Sequence, residues 1–317
     1  MSQQDTKPAS SLLVVIAFAT VYIVWGSTYY YIQQGLKGFP PLLLGALRYS
    51  GAAFILLLWC LIKREKIFVL KDMKNAAVVG ILLLFIGNGG VIWAEQTIPS
   101  AMAAIMVSSA PLWFVILDKN KWADNFRNKA TIIGLLIGFI GVILLFSEPL
   151  QHAFSAIGNF NEIGGLIMLT VAVIAWTSGS LFSKHNPPTR ISGIVSTMWQ
   201  MLFGALAFFP GIFIRKELNM VNWNNIPGDA WFAVFYLIIM GSIGAYSAYV
   251  WLLQVRPATQ VSTYAYVNPI VAVLFGVILA NEKITFYQGL GLAIILGSVV
   301  LINLSNYIKK KPLLKPR

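Results

Sequence analysis

The sequence predicts an all-α integral membrane protein, with ten transmembrane helices arranged as two inverted five-helix repeats around a central cavity. Three observations lead there. The 317 residues are 58% hydrophobic and only 11% charged, with mean hydropathy +0.75, whereas a soluble domain carries about 25% charged residues. Ten apolar runs can be marked along the chain, most near the roughly 20 residues that cross a hydrocarbon core as helix. Finally, Trp93, Gln96, Pro99 and Pro111 recur as Trp251, Gln254, Pro257 and Pro269, each 158 residues later (251 − 93). Trp and Pro are uncommon residues, so four matches in one register point to a duplication. A five-span unit enters and leaves on opposite sides, so tandem copies at 11–147 and 162–305 must lie inverted.

The runs cover 11–32, 41–62, 75–94, 99–117, 130–147, 163–183, 191–214, 231–252, 258–280 and 286–305. The first is too long for a signal-peptide core and lacks a small-residue cleavage pattern, so it reads as an uncleaved helix; it carries Trp25, Ser27 and Thr28. The second holds Arg48, the one formal charge inside a span, and Cys60, whose solitude excludes an intrachain disulfide. In the third, Asn88, Ile92 and Glu95 fall at i, i+4 and i+7, on one helical face. The fourth carries Ser109 and Pro111, and the fifth is rich in glycine (Gly134, Gly138, Gly141). Residues 148–161, with Pro149, His152 and Gly158, read as an exposed linker.

The second half repeats this plan. Trp176-Thr177-Ser178 in the sixth run matches Trp25-Gly26-Ser27, and Ser180 follows. Gln200 in the seventh stands where Arg48 stands in the second. The eighth offers Tyr246, 158 residues after Asn88, and Tyr249. In the ninth, Gln260, Thr263, Tyr264, Val267 and Asn268 form a stripe that ends at Pro269. The tenth again carries glycines (Gly289, Gly291, Gly297). Small residues let membrane helices approach closely, which favours packing within the chain over a dimer interface.

Net charge +12 is distributed unevenly. If the N-terminus is cytoplasmic, loops on that side hold 18 of the 23 Lys and Arg, including Lys309–Lys311, and loops opposite hold four. The positive-inside rule then places both termini in the cytoplasm. The terminal lysines fit anionic lipid rather than nucleic acid.

Val21-Tyr-Ile-Val-Trp-Gly-Ser-Thr-Tyr29, Gly87-Asn-Gly89 and Thr263-Tyr-Ala-Tyr-Val-Asn-Pro-Ile-Val-Ala-Val-Leu-Phe-Gly276 resemble the drug/metabolite transporter superfamily. More narrowly, the chain is similar to the ten-helix EamA-domain permeases of bacterial inner membranes, over residues 12–305. The resemblance implies two inverted bundles around a cavity and a role in exporting small metabolites. Many such permeases place a Gly-Glu pair after the fourth and ninth spans; here only Asn281-Glu282 approximates it. The Asp118–Lys129 loop has no counterpart.

Polar groups inside spans are candidates for function, because lipid punishes them when unsatisfied. Candidates for a solute cavity are Trp25, Thr28, Arg48, Asn88, Glu95, Ser109, Trp176, Ser180, Tyr246, Tyr249, Thr263, Tyr264 and Asn268. Each has a plainer reading. Asn88 and Asn268 also suit helix–helix hydrogen bonds, and Trp93, Trp231 and Trp251 suit the interfacial belt. Arg48 can snorkel to headgroups, pair with Glu95 or meet an anionic solute. Pro111 and Pro269 each remove a helix donor, and paired interruptions in two halves point to a binding site or to simple kinks.

All eleven acidic residues fall in loops or at span ends, and His152 and His185 fall in loops. That excludes a zinc or catalytic histidine cluster, and no cofactor is expected. A cation exporter would need a deeply buried carboxylate, so neutral, zwitterionic or weakly anionic solutes, amino-acid-like among them, are expected. The inverted repeat predicts alternating access at a midplane site. The alternatives are an enzyme acting on lipid-linked substrates, a broad drug efflux pump and a channel. A monomer suffices, since the duplication supplies both halves, and a dimer stays open.

Overall fold

The computed structural model describes residues 10–94, 100–147, 160–280 and 285–308, and all regular structure among them is helical. In chain order the helices are α1 (Ser11–Leu36), α2 (Pro41–Ile62), α3 (Leu70–Ala94), α4 (Ser100–Val107), α5 (Ala110–Leu117), α6 (Trp122–Arg127) and α7 (Lys129–Leu145). The second half holds α8 (Phe160–His185), α9 (Gly193–Ile214), α10 (Glu217–Met220), α11 (Gly228–Val255), α12 (Ala258–Val261), α13 (Tyr264–Ala280) and α14 (Phe286–Ile308).

Six of these, α1, α2, α3, α8, α9 and α11, are long and apolar enough to cross a membrane. The fourth and ninth expected spans are interrupted helices, broken at Ser108–Ser109 between α4 and α5 and at Ser262–Thr263 between α12 and α13. The apolar helices α7 and α14 stand at the fifth and tenth positions. The Asp118–Lys129 segment, expected as loop, folds into a 3₁₀ turn and α6, which meets α7 at 93°.

Helix ends follow local chemistry. Pro41 occupies the first turn of α2, where no intrahelical donor is needed. Asn128 and Ser192 accept the amides of Thr131 and Val195 at the starts of α7 and α9. Arg64 stops α2 in a left-handed conformation (φ 53°), with its amide on Leu61 O and that of Glu65 on Cys60 O. This is a Schellman closure with a non-glycine residue. Lys216 takes the same left-handed conformation after α9 (φ 55°), with its amide on Phe213 O.

Two stretches depart from α-helical winding. Ile81–Gly89 in α3 and Leu237–Tyr246 in α11 are π-helical, and they correspond within two residues at the 158-residue repeat offset. Wide turns inside helices frequently mark functional sites. Of the two prolines expected as paired helix interruptions, Pro111 lies in the first turn of α5, just after the Ser108–Ser109 break, and Pro269 lies inside a continuing α13.

Packing follows a regular plan. α2 lies along α9 and α7 along α14; α1 packs on α11 and α13, while α8 packs on α3, α4 and α5. Exchanging each span for the one five places on leaves these pairings unchanged. Glycines permit the closest approaches: a Cβ on Gly80 would lie 2.2 Å from Gln200 O, and one on Gly291 2.7 Å from Leu145 N. Gly134, Gly138 and Gly141 pack against α14 or Tyr266, whereas Gly289 and Gly297 face open space. Large apolar side chains such as Phe54, Ile62, Phe213, Phe235 and Ile278 cover the outside, as a lipid-facing surface requires.

Candidate functional site

A cavity of about 420 Å³ lies between the two halves, within the usual range for small-molecule sites. Of the predicted candidates, Trp25, Thr28, Arg48, Asn88, Trp176, Tyr246, Tyr264, Asn268 and Pro269 line it. On α1 the lining runs from Trp25 through Thr28, Tyr29 and Ile32 to Gln33 and Leu36. Exposure rises along that face, from buried Trp25 to exposed Gln33 and Leu36. The cavity therefore reaches from mid-helix toward the end of the bundle where α1 finishes.

An aromatic cluster forms its floor. Trp25 meets Trp176 edge-on at 5.6 Å and Tyr264 at 5.1 Å, and Tyr249 packs 4.9 Å from Trp25 and 5.4 Å from Tyr264. Perpendicular rings place positive edges on negative faces. The Tyr249 hydroxyl lies 2.6 Å from Ser180 Oγ and accepts the Trp176 indole N–H at 3.2 Å. Tyr246 donates to Gln200 Oε1 at 2.8 Å.

Arg48 points inward, not toward headgroups as the snorkelling reading had it. Its Nε donates to Ser242 Oγ at 2.8 Å, and its guanidinium carbon lies 5.1 Å from the Tyr49 ring centroid. Space for it comes from Gly241, where a Cβ would fall 2.9 Å from Arg48 Nη2. Gly241 O also accepts the Trp25 indole N–H at 3.2 Å. The π-helical stretch of α11 thus holds both groups. Arg48 is the only charged residue among the described lining, which includes no carboxylate.

Five predicted residues sit outside this wall. Ser109 donates to Met106 O and Thr263 to Gln260 O, each satisfying its own helix one turn back. Thr263 Oγ1 also lies 2.6 Å from the Tyr22 hydroxyl. Ser180 and Tyr249 lie behind Trp25, Trp176 and Tyr264, paired with each other, and Pro111 is buried in α5. The predicted stripe on the ninth span fails because the chain breaks at Ser262–Thr263, which turns Gln260 and Thr263 away from Tyr264 and Asn268. Glu95 lies outside the described residues, and with it the predicted Arg48–Glu95 pair.

Sequence reasoning missed Tyr29, Gln33, Leu36, Tyr49, Phe146 and Ser242. The α1 members extend the face of Trp25 at helical spacing and were legible. Ser242 was not, because π-helical winding shifts its direction.

Below the aromatic floor the bundle is closed. Lys184 Nζ donates to the carbonyls of Leu253 and Arg256, and Gln254 Nε2 donates to Ser183 O at 3.0 Å. His185 Nε2 lies 3.2 Å from buried Asp118. These contacts tie α8 to α11 and to the end of α5. Among the described residues no group of three or more His, Cys, Asp or Glu is placed to hold a metal ion.

The model of the EamA-like transporter family matches the chain at residues 12–147 and 163–304. The inner membrane transporter YedA of Escherichia coli K12, named as uncharacterized, is 34% identical over 304 residues, covering 95% of this chain and 94% of its own. Transporter YoaV of Bacillus subtilis is 23% identical, with 94% and 99% covered. Protein PecM of Dickeya dadantii is 25% identical, with 92% and 93% covered. A solved structure described as "Crystal structure of protein" superposes with a TM-score of 0.76 at 18% identity, over 95% of this chain and 100% of that one, which establishes likeness of fold.

Proposed function

The chain belongs to the EamA-like transporter family, a transporter rather than an enzyme, and on that premise we propose a secondary carrier for small organic metabolites. The solutes are neutral, zwitterionic or weakly anionic, amino-acid-like compounds among them, and they move by alternating access. The observation that carries this reading is the cavity: it is approachable from one end of the bundle and sealed at the other by the aromatic floor and the Lys184 contacts. A carrier needs such a site, closed to one side while reachable from the other.

Residues 11–147 and 162–305 act as two inverted halves, with both termini in the cytoplasm. The unchanged packing under exchange of halves supports this, as do the paired π-helical stretches. Secondary transporters commonly place their site between inverted repeats, at irregular helix segments. A monomer holds a complete cavity.

Aromatic rings and scattered hydrogen-bonding groups suit an amphipathic solute. A lipophilic cation finds Arg48 and no described carboxylate in the lining, so overexpression should confer no proton-coupled efflux of a quaternary ammonium dye. Untargeted metabolite profiling of cells and medium, with overexpressed chain against an Asn268→Ala control, identifies the solutes. Their counterflow in proteoliposomes should show trans-stimulation. An unchanged profile, or flux without trans-stimulation, would sink the carrier reading.

A further inference from the structure

We propose that the cavity holds its solute by two poles, Arg48 anchoring a carboxylate and the amide oxygen of Asn268 accepting an N–H; this rests on the transport reading above. The favoured solute is an amino carboxylate with an apolar body lying on the aromatic floor.

The first pole is a cation without a counter-ion among the described residues. Arg48 is 7% exposed and lines the cavity, and a guanidinium carries five N–H donors, of which Nε is held by Ser242. The buried carboxylates among the described residues are committed elsewhere. Asp72 accepts the amides of Thr189 and Arg190, Asp118 faces His185, and Glu217 accepts the amide of Leu43. Taking a guanidinium out of water is unfavourable until an anion meets it. A carboxylate matches its planar fork with two parallel hydrogen bonds.

The second pole is an acceptor without a donor. Asn268 is 5% exposed and lines the same cavity, and its Oδ1 accepts from no described residue. Buried polar atoms are nearly always paired, and a turn of the Asn268 amide toward the cavity it lines would present this buried, orphan oxygen to a solute N–H.

The two poles lie at one depth. A Cβ on Gly26 would come 3.2 Å from Asn268 O, so the start of α13 touches α1 there. Gly241, which makes room for Arg48, would bring a Cβ 3.2 Å from Thr28 Cγ2. Gly26 and Thr28 differ by two residues, about 3 Å of helix rise. Trp25 adjoins both points, so a solute laid on its ring lies beside Arg48 and Asn268 together.

Calorimetry on the full-length purified protein with four phenyl probes tests this: L-phenylalanine, 3-phenylpropanoate, 2-phenylethylamine and 2-phenylethanol. Phenylalanine should bind tightest, 3-phenylpropanoate next and the amine weakest. Arg48→Gln should weaken both carboxylate probes by about 10- to 100-fold, the range of a charged hydrogen-bonded contact, and leave phenylethanol unchanged. Unaltered phenylethanol binding also certifies the fold, and Arg48→Lys should retain part of the affinity. Asn268→Leu should weaken phenylalanine and spare 3-phenylpropanoate. Equal losses across all four probes, tightest binding of the amine, or binding of none overturns the assignment. So does carboxylate affinity that emerges only in Glu95→Gln, since Arg48 would then be an internal ion pair. If profiling yields transported solutes that lack a carboxylate, the poles are wrong while the carrier stands.

Discussion

Tyr249 shows how single hydroxyls hold the closed end together. Fully buried, it lies against Ser180 Oγ and the Trp176 indole N–H while its ring packs on Trp25 and Tyr264. Tyr249→Phe keeps the ring and strands the Trp176 indole N–H, while Ser180 Oγ keeps its bond to Trp176 O. A net loss of about 1 kcal/mol per neutral hydrogen bond is expected, read as thermal unfolding of the purified protein. Because Ser180→Ala removes the same contact, the double variant should cost less than the sum of the single ones; strict additivity would show that the pair is not coupled. Gly241 acts differently. A methyl there meets the far end of the Arg48 side chain, which can move. Gly241→Ala should leave unfolding nearly unchanged yet displace the guanidinium, seen as weaker solute binding.

Among the elements, α9 is held at both ends by buried acids. Asp72, in the first turn of α3, takes the amides just before α9, and Glu217, just after it, takes the Leu43 amide at 2.8 Å. Each acid thus serves an orphan donor at a helix entry and is unavailable to a solute. Between these ends α9 touches α3 at Gly80, where any side chain meets the Gln200 carbonyl. Gly80→Ala should therefore destabilise by roughly 1–3 kcal/mol, the usual cost of overpacking. Gly164→Ala, with nothing within 4 Å of the added carbon, provides the control. Equal effects of the two would mean that α3 and α9 do not pack as described.

For the whole molecule, one end of the cavity should react while the other is protected. Cys60 is buried, so labelling of single cysteines has little background. Gln33→Cys should react with a membrane-impermeant maleimide, and Ser183→Cys should stay protected. Lys184→Met removes the donor that Leu253 and Arg256 share, and should raise labelling at position 183. Fast labelling there in the otherwise native chain would contradict the seal. Tags on the two ends should both report cytoplasmic; opposite faces would break the inverted arrangement.

The sequence by itself determined the apolar helical character and the family, and it singled out nine of the residues that line the cavity. Trp25, Trp176, Tyr264 and Asn268 could be picked because each puts a hydrogen-bonding side chain inside an apolar span, with Trp25 and Trp176 at matching places in the two halves. Periodicity also fixed which faces of α7 carry glycine for close packing. Tertiary structure decided the rest. Hydrogen bonding in a helix can slip by one residue without a proline to announce it, so the π-helical stretches of α3 and α11 were invisible in the pattern. That slip aims Ser242 at Arg48, while Ser109 and Thr263 turn to their own backbones. An inward guanidinium depends on a missing Cβ on another helix, at Gly241, and no reading along a single chain segment reveals what a distant segment leaves empty.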